Sequence, residues 1–274
     1  MIETAAPAVI SEAALLEALR PVYDPELDES LVELGFLDGV HAEGGAVHVR
    51  LRLPTFWCAP NFAYLMADDA RQRLLAVPGV RQVHVTLRDN AYAEEISRGV
   101  SAGQGFSEVF PGQAEGDDLG ALRRLFADKA FGMRQEQLVR FLLDQAGLAA
   151  TDVVALRVGD VLDATDATGL RLRLGHTERL LRGGAPLARL YLDRRRRLGL
   201  PHADAALLMT DVDGAAIAAD DLPGYLQRGR RQRISMTFNR MLCRGLLETR
   251  YGLDGEEGRG NREGRRGDEG CPAL

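Results

Sequence analysis

Residues 53–60, LPTFWCAP, set Cys58 beside Trp57, the only tryptophan in the chain. A strand-like run, VHVRLRL, enters this loop and an apolar helical pattern leaves it. A cysteine at such a corner lies near unpaired amides and the positive end of a helix dipole. Those surroundings stabilise a thiolate and lower cysteine pKa values to roughly 3.5–7.5, which would make Cys58 a soft nucleophile or metal ligand. A buried structural cysteine fits the position equally well, because free cysteine is among the most buried residue types. Upstream, Asp24 and Glu26 flank Pro25 and offer hard oxygen ligands, although Asp-Pro is also an ordinary turn signal. Phe56, Trp57, Phe62 and Tyr64 give aromatic surface suited to core packing or to a partner, with packing the simpler role for Phe62. Thr55 lies in the same loop. His48 and His84 alternate within strand patterns and can reach one face, where a surface role is the simpler account.

The elements that must hold these residues follow from periodicity. Ser11–Arg20 has helical spacing of Ala14, Leu15, Ala18 and Leu19, with Ser11 as N-cap. Ser30 and Glu33 have capping-box spacing for a short helical turn. Leu37–His41 and Ala46–Leu53 alternate around Glu43-Gly44-Gly45, a hairpin pattern. Asn61–Val77 is helical in pattern, Pro60 suits its first turn, Pro78-Gly79 ends it, and VRQVHVTL is a period-2 strand. These elements form a compact unit over residues 8–100. From Ser97 the chain turns glycine-rich and loses periodicity, which marks residues 101–118 as a linker. Residues 119–253 regain helical pattern, with an N-cap at Thr151, a small hairpin around LRLRLG, and helices over Ala185–Arg197 and Arg233–Tyr251. Residues 254–274 carry too little apolar content to order themselves.

The order DPEL (Asp24 to Leu27), Leu34-Gly35, Cys58 and Pro78-Gly79-Val80 resembles the iron–sulfur cluster assembly domain family (SufT/PaaD-like) over residues 8–100. The resemblance implies an α+β fold, a small N-terminal α/β-sandwich-like assembly domain followed by a mainly helical C-terminal domain. It also implies a non-enzymatic accessory role in delivering iron–sulfur clusters or maturing a metal-containing client, for which a multicomponent oxygenase is one candidate. Pro54, Ala59 and Trp57 depart from the family's usual loop, which suggests a specialised partner surface. Four thiolates normally hold a cluster, so Cys58 alone would be a transient ligand or client contact. A homodimer would bring two such thiols together. Asp24, Glu26, Thr55 and Trp57 complete the set of cluster or client contacts, and the partners implied are a client metalloenzyme or iron–sulfur assembly proteins.

The second half resembles the catalytic domain of tyrosine recombinases of the phage-integrase type. Gly147-Leu148, Ala155-Leu156-Arg157 with Asp160, and Arg240 in a late helix carry the likeness. Ala149, Thr237 and Met241 replace the arginine and the two histidines that strand exchange requires, and only a short tail follows Tyr251, so the resemblance implies an inactive fold. What would remain is recognition. In the alternative reading, a DNA-binding regulator, Arg157, Arg230, Arg231 and Arg240 contact phosphates.

Composition weighs against that alternative. The chain has 274 residues, 46% hydrophobic and 27% charged, with a net charge of -6. An acidic soluble chain suits protein partners better than nucleic acid. Arginine supplies every positive side chain except Lys129. Cys58, Cys243 and Cys271 show no CxxC spacing, so no zinc knuckle or disulfide framework is encoded. The acidic start lacks a secretory n-region, and no run approaches the roughly 20 apolar residues of a membrane span. The cytoplasm is therefore the expected compartment.

Overall fold

The computed structural model describes residues 10–113, 119–164 and 169–252. The fold is α+β and contains two principal hydrophobic cores.

The first core forms around a three-stranded sheet of order β3-β4-β5. Helix α1 (Glu12–Leu19) opens the unit, and the Ser11 hydroxyl accepts from the Ala14 amide at 3.2 Å as its N-cap. A two-residue ladder of β1 (Tyr23–Asp24) and β2 (Glu29–Ser30) follows. Ser30 ends a strand and opens a single turn, its carbonyl accepting from the Leu34 amide at 2.9 Å. Its hydroxyl accepts from the Val32 amide at 3.3 Å, inside a turn. Strands β3 (Leu37–Glu43) and β4 (Ala46–Arg52) form the expected antiparallel hairpin. Helix α2 (Pro60–Leu75) then crosses over to β5 (Gln82–Arg88), which pairs parallel with β4. Alternation sends Val47, Val49, Leu51, Val83, Val85 and Leu87 into the core. The opposite face carries His41, His48 and His84 in register, stacked with ring centroids 5.0 and 4.9 Å apart.

The glycine-rich stretch from Ser97 does not act as a linker in its described part. It forms the end of α3 (Ala93–Ala102) and then α4 (Phe106–Val109). Ile96, Val100, Phe106 and Phe110 are buried in the first core. Ser97 and Ser101 hydroxyls accept from the Leu87 and Val85 amides, both at 2.9 Å, and so satisfy the free edge of β5. Gly99 is needed there, because a Cβ at that position would lie 2.2 Å from Val109 Cγ2.

The second core lies among α5 (Gly120–Asp144), α6 (Ala150–Ala155), an antiparallel sheet of β6 (Val161–Asp163), β7 (Leu170–Leu174) and β8 (Thr177–Leu181), α7 (Ala185–Arg197) and α8 (Leu222–Tyr251). The hairpin of the sequence reading thus gains a third strand. Thr151 lies inside α6, whose N-cap is Ala149, and Asp152 accepts from the Ala149 amide at 3.3 Å. Helix α8 begins eleven residues before the expected start at Arg233. The expected tail, residues 254–274, and Cys271 lie outside the described residues.

The two cores do not part cleanly at a boundary. Leu247 of α8 is buried in the first core, and Cys243 and Tyr251 pack against it. Phe62 of α2 meets Phe126 of α5 edge-on at 5.1 Å, so it packs across the seam. An ionic contact crosses as well: Asp28, 4% exposed, lies 2.6 Å from both Arg134 Nε of α5 and Arg194 Nε of α7. Tyr23 is covered by the guanidinium groups of Arg194 and Arg197 at 4.1 and 4.5 Å.

Candidate functional site

The Cys58 loop spans the gap between β4 and α2, and Pro60 at its far end starts the helix as expected. Two neighbouring residues after β5 hold the loop in place. Asn90, 4% exposed, donates from Nδ2 to the Cys58 carbonyl at 2.9 Å, and the Ala91 amide donates to the Phe56 carbonyl at 2.7 Å. Asn90 in turn accepts from the Tyr92 amide at 2.9 Å, which fixes its amide orientation. Nothing in the Arg88-Asp89-Asn90 sequence distinguished this anchor from an ordinary turn. Phe56 and Trp57 project outward, 50% and 80% exposed, while Tyr64 is buried and donates to the Gln104 carbonyl at 2.6 Å. Thr55 and Cys58 are half-buried.

The other expected site residues divide into two groups. Asp24, 7% exposed, uses Oδ1 to accept from the Glu26 and Leu27 amides at 2.8 and 3.0 Å, so the turn reading of Asp-Pro holds. Asp24 and Glu26 also lie close enough to Cys58 to act on its charge, as does Cys243 from α8. Sequence periodicity placed Cys243 in a helix interior and gave no sign that it would meet this loop. A cleft of about 130 Å³ at the Asp24 turn is lined by Tyr23, Asp24, Arg123, Arg194 and Arg197 among others, and Cys58 does not line it. No group of three histidine, cysteine or acidic side chains has metal-ligand geometry among the described residues.

The electrostatics reverse the expected direction for the thiol. Burial pushes the Cys58 pKa up to about 12, and Asp24, Cys243 and Glu26 add to the rise, against a small opposing effect of the Ala59 amide. The start of α2 does not compensate, because a helix end stabilises charge only weakly beside the cost of removing a thiolate from water. Cys243 is raised to about 11, by burial first and then by Asp24 and Glu26. Asp24 itself is raised to about 7 by burial, with its two amide partners opposing, and burial also raises Glu26, with Lys129 opposing.

The Asp24 shift has a stability consequence with a definite sign. A carboxyl whose folded pKa exceeds its unfolded value holds its proton longer when folded, so stability falls as pH rises from about 4 to 7. Asp24→Asn keeps the side-chain oxygen that caps Glu26 and Leu27 and removes the ionisation. We expect the variant to be more stable than the parent at pH 8, on the order of 1–3 kcal/mol, and no different at pH 4. Urea unfolding at the two pH values measures this; equal stability at pH 8 would contradict it.

The arginines of the DNA-binding alternative do not form one free surface. Arg157 donates to the Ala205 carbonyl, and Arg240 pairs with Glu29 at 3.4 Å. Arg230 and Arg231 are exposed on α8. Within the LDRRRR run, Arg194 and Arg195 are buried, and Arg195 donates to the carbonyls of Pro201, Leu207 and Leu208 at 2.8 to 3.0 Å. No described helix is long and apolar enough to cross a membrane.

Comparison with known proteins agrees with the first unit. The family described as "Iron-sulfur cluster assembly protein" matches residues 12–86. An "Iron-sulfur cluster carrier protein" of Synechocystis sp. is 38% identical over 77 residues, 28% of this chain and 21% of the relative. Its counterpart of the same name in Deinococcus radiodurans is 40% identical over 72 residues, 26% of this chain and 20% of the relative. The chain thus spans about a fifth of the length of the curated relatives it matches. Residues 12–86, the part of the chain that matches this family, hold both the Asp24 turn and the Cys58 loop.

Proposed function

We propose that this protein is an accessory factor that carries or transfers an iron–sulfur cluster, or helps mature a metal-containing client, with Cys58 as its exchangeable thiol ligand. The observation that carries the reading is a half-buried thiol in the matched domain, set between an acidic turn and an exposed aromatic corner. The protonated thiol is unreactive at rest. A thiophilic iron centre displaces the proton, because coordination to a metal deprotonates a thiol outright. The cluster is cargo, and the chain's own residues hold the loop, screen the sulfur and release its proton to solvent.

Asp24 and Glu26 act as the electrostatic surround that favours release of the cargo, since carboxylates beside a bound thiolate raise its affinity for protons. Phe56 and Trp57, with the exposed stripe of Ile234, Phe238, Met241 and Leu242 on α8, give apolar surface for a client or an iron–sulfur assembly protein. An oxygenase client and a cytoplasmic location belong to the same proposal.

The test is anaerobic reconstitution of the full chain with iron and sulfide. We expect Cys58→Ser to lose the cluster-derived visible absorption and the protein-bound iron and sulfide, with the far-ultraviolet circular dichroism unchanged. A variant that holds as much iron and sulfide as the parent would remove Cys58 from the mechanism.

A further inference from the structure

Helix α8 reaches back across the assembly domain and is pinned to it at two places. Near one end of the contact, Arg240 pairs with Glu29, the first residue of β2 and close to the Asp24 turn. At the other, the Tyr251 hydroxyl bonds Asp89 and reaches the Leu53 carbonyl at 3.5 Å, while the Arg52 guanidinium lies over its ring at 4.9 Å. Leu53 begins the Cys58 loop, and Asp89 precedes Asn90, which holds the Cys58 carbonyl. Residues 240, 243, 247 and 251 share one helix face, since they follow the three- and four-residue spacing of an α-helix. Cys243 stands on that face about 4.5 Å along the axis from Arg240 and about 12 Å from Tyr251. The Asp24 turn and the thiol loop therefore bracket it, and Cys243 and Cys58 pack against the same core.

We propose that Cys243 is the second thiol ligand, with Cys58, of a single thiophilic-metal or iron–sulfur site completed across the seam of the two units. The inference rests on the reading of Cys58 as a cluster ligand and adds a residue from outside the matched segment. Each metal–sulfur bond forms as its thiol gives up a proton to solvent, with no change of oxidation state. Each thiol also lies within electrostatic reach of the same acidic turn, Asp24 and Glu26. Two thiols per chain supply half of the four ligands a cluster normally takes, and a client or a second copy brings the rest.

Cobalt(II) titration of the reduced, metal-free full chain tests this without a client, because each cobalt–thiolate bond adds to the charge-transfer absorption. We expect Cys243→Ser and Cys243→Ala each to lose about half of that absorption and to bind cobalt at least about tenfold more weakly, the loss that even outer-shell changes produce. Circular dichroism checks the fold, and the alanine variant guards against a packing defect from the serine hydroxyl. Full absorption in both Cys243 variants with loss in Cys58→Ser would overturn the role of Cys243 and leave Cys58 standing. Full absorption in all three would overturn the reading of Cys58 as well.

Discussion

Asp28→Asn is expected to destabilise the protein by about 3 kcal/mol, the largest stability effect predicted for a single isosteric change here. Asp28 accepts from Arg134 through Oδ2 at 2.6 Å and through its backbone carbonyl at 2.7 Å. Its Oδ1 lies 2.6 Å from Arg194 Nε, off the line of a well-aligned hydrogen bond, so that contact is chiefly electrostatic. Removing one partner of a buried ion pair strands the other, at a cost of roughly 3–5 kcal/mol. Arg194 retains Asp193 and the Tyr23 ring, and Arg134 retains Gln137 and the Asp28 carbonyl, which places the cost at the low end. Asparagine also tolerates the left-handed backbone at this position, where φ is 52°, so backbone strain does not confuse the result. For a chain of this size the loss corresponds to a fall in Tm of roughly 6–12 °C. Because Asp28 joins the first unit to α5 and α7, the unfolding transition should also broaden or split. A single sharp transition shifted by less than about 1 kcal/mol would show that the seam does not depend on this carboxylate.

That seam was hidden in the sequence for a physical reason. The hairpin, α2 and β5 were legible because strict alternation and helical spacing follow from burying one face. Helices α3 and α4 were not, since Gly99, Gly103 and Gly105 mimic a loop while one of them permits a close helix contact. Four consecutive arginines in α7 carry no local sign of burial, yet Arg194 and Arg195 are buried. Asp28 lies far from Arg194 in sequence, and Arg195 is satisfied by carbonyls of the loop that follows its helix, partners that a composition count cannot supply. The candidate site divides in the same way. Cys58, Asp24 and Glu26 were found from local motifs, whereas Asn90 and Cys243 reach the loop only through the fold. The sequence leaves the thiolate and the buried thiol open at Cys58 because the helix end is a local feature, while burial and the nearby carboxylates, which favour the protonated thiol, are tertiary ones.

Iodoacetamide should therefore modify Cys58 slowly in the native, metal-free protein. With a pKa of about 12, the thiolate fraction at pH 8 is about 10⁻⁴, against about a quarter for an unperturbed thiol of pKa near 8.5. The deficit is roughly 2000-fold. A more basic thiolate is a better nucleophile, and a Brønsted slope of 0.4–0.5 over about 3.5 units returns a factor of about 40. The net expectation is modification of Cys58 roughly 50-fold slower than a free cysteine at pH 8. The rate should rise about tenfold per pH unit up to pH 10 without a plateau, and unfolding in urea should abolish the difference. Peptide-resolved mass spectrometry separates Cys58 from the other two thiols. A rate that levels off below pH 9 would mean that Cys58 ionises as a free cysteine does, and loading at pH 8 would then release less than one proton at Cys58. A continuous rise would instead tie cargo binding to proton release, so that uptake weakens as pH falls and delivery is favoured by the same carboxylates that keep the empty thiol protonated.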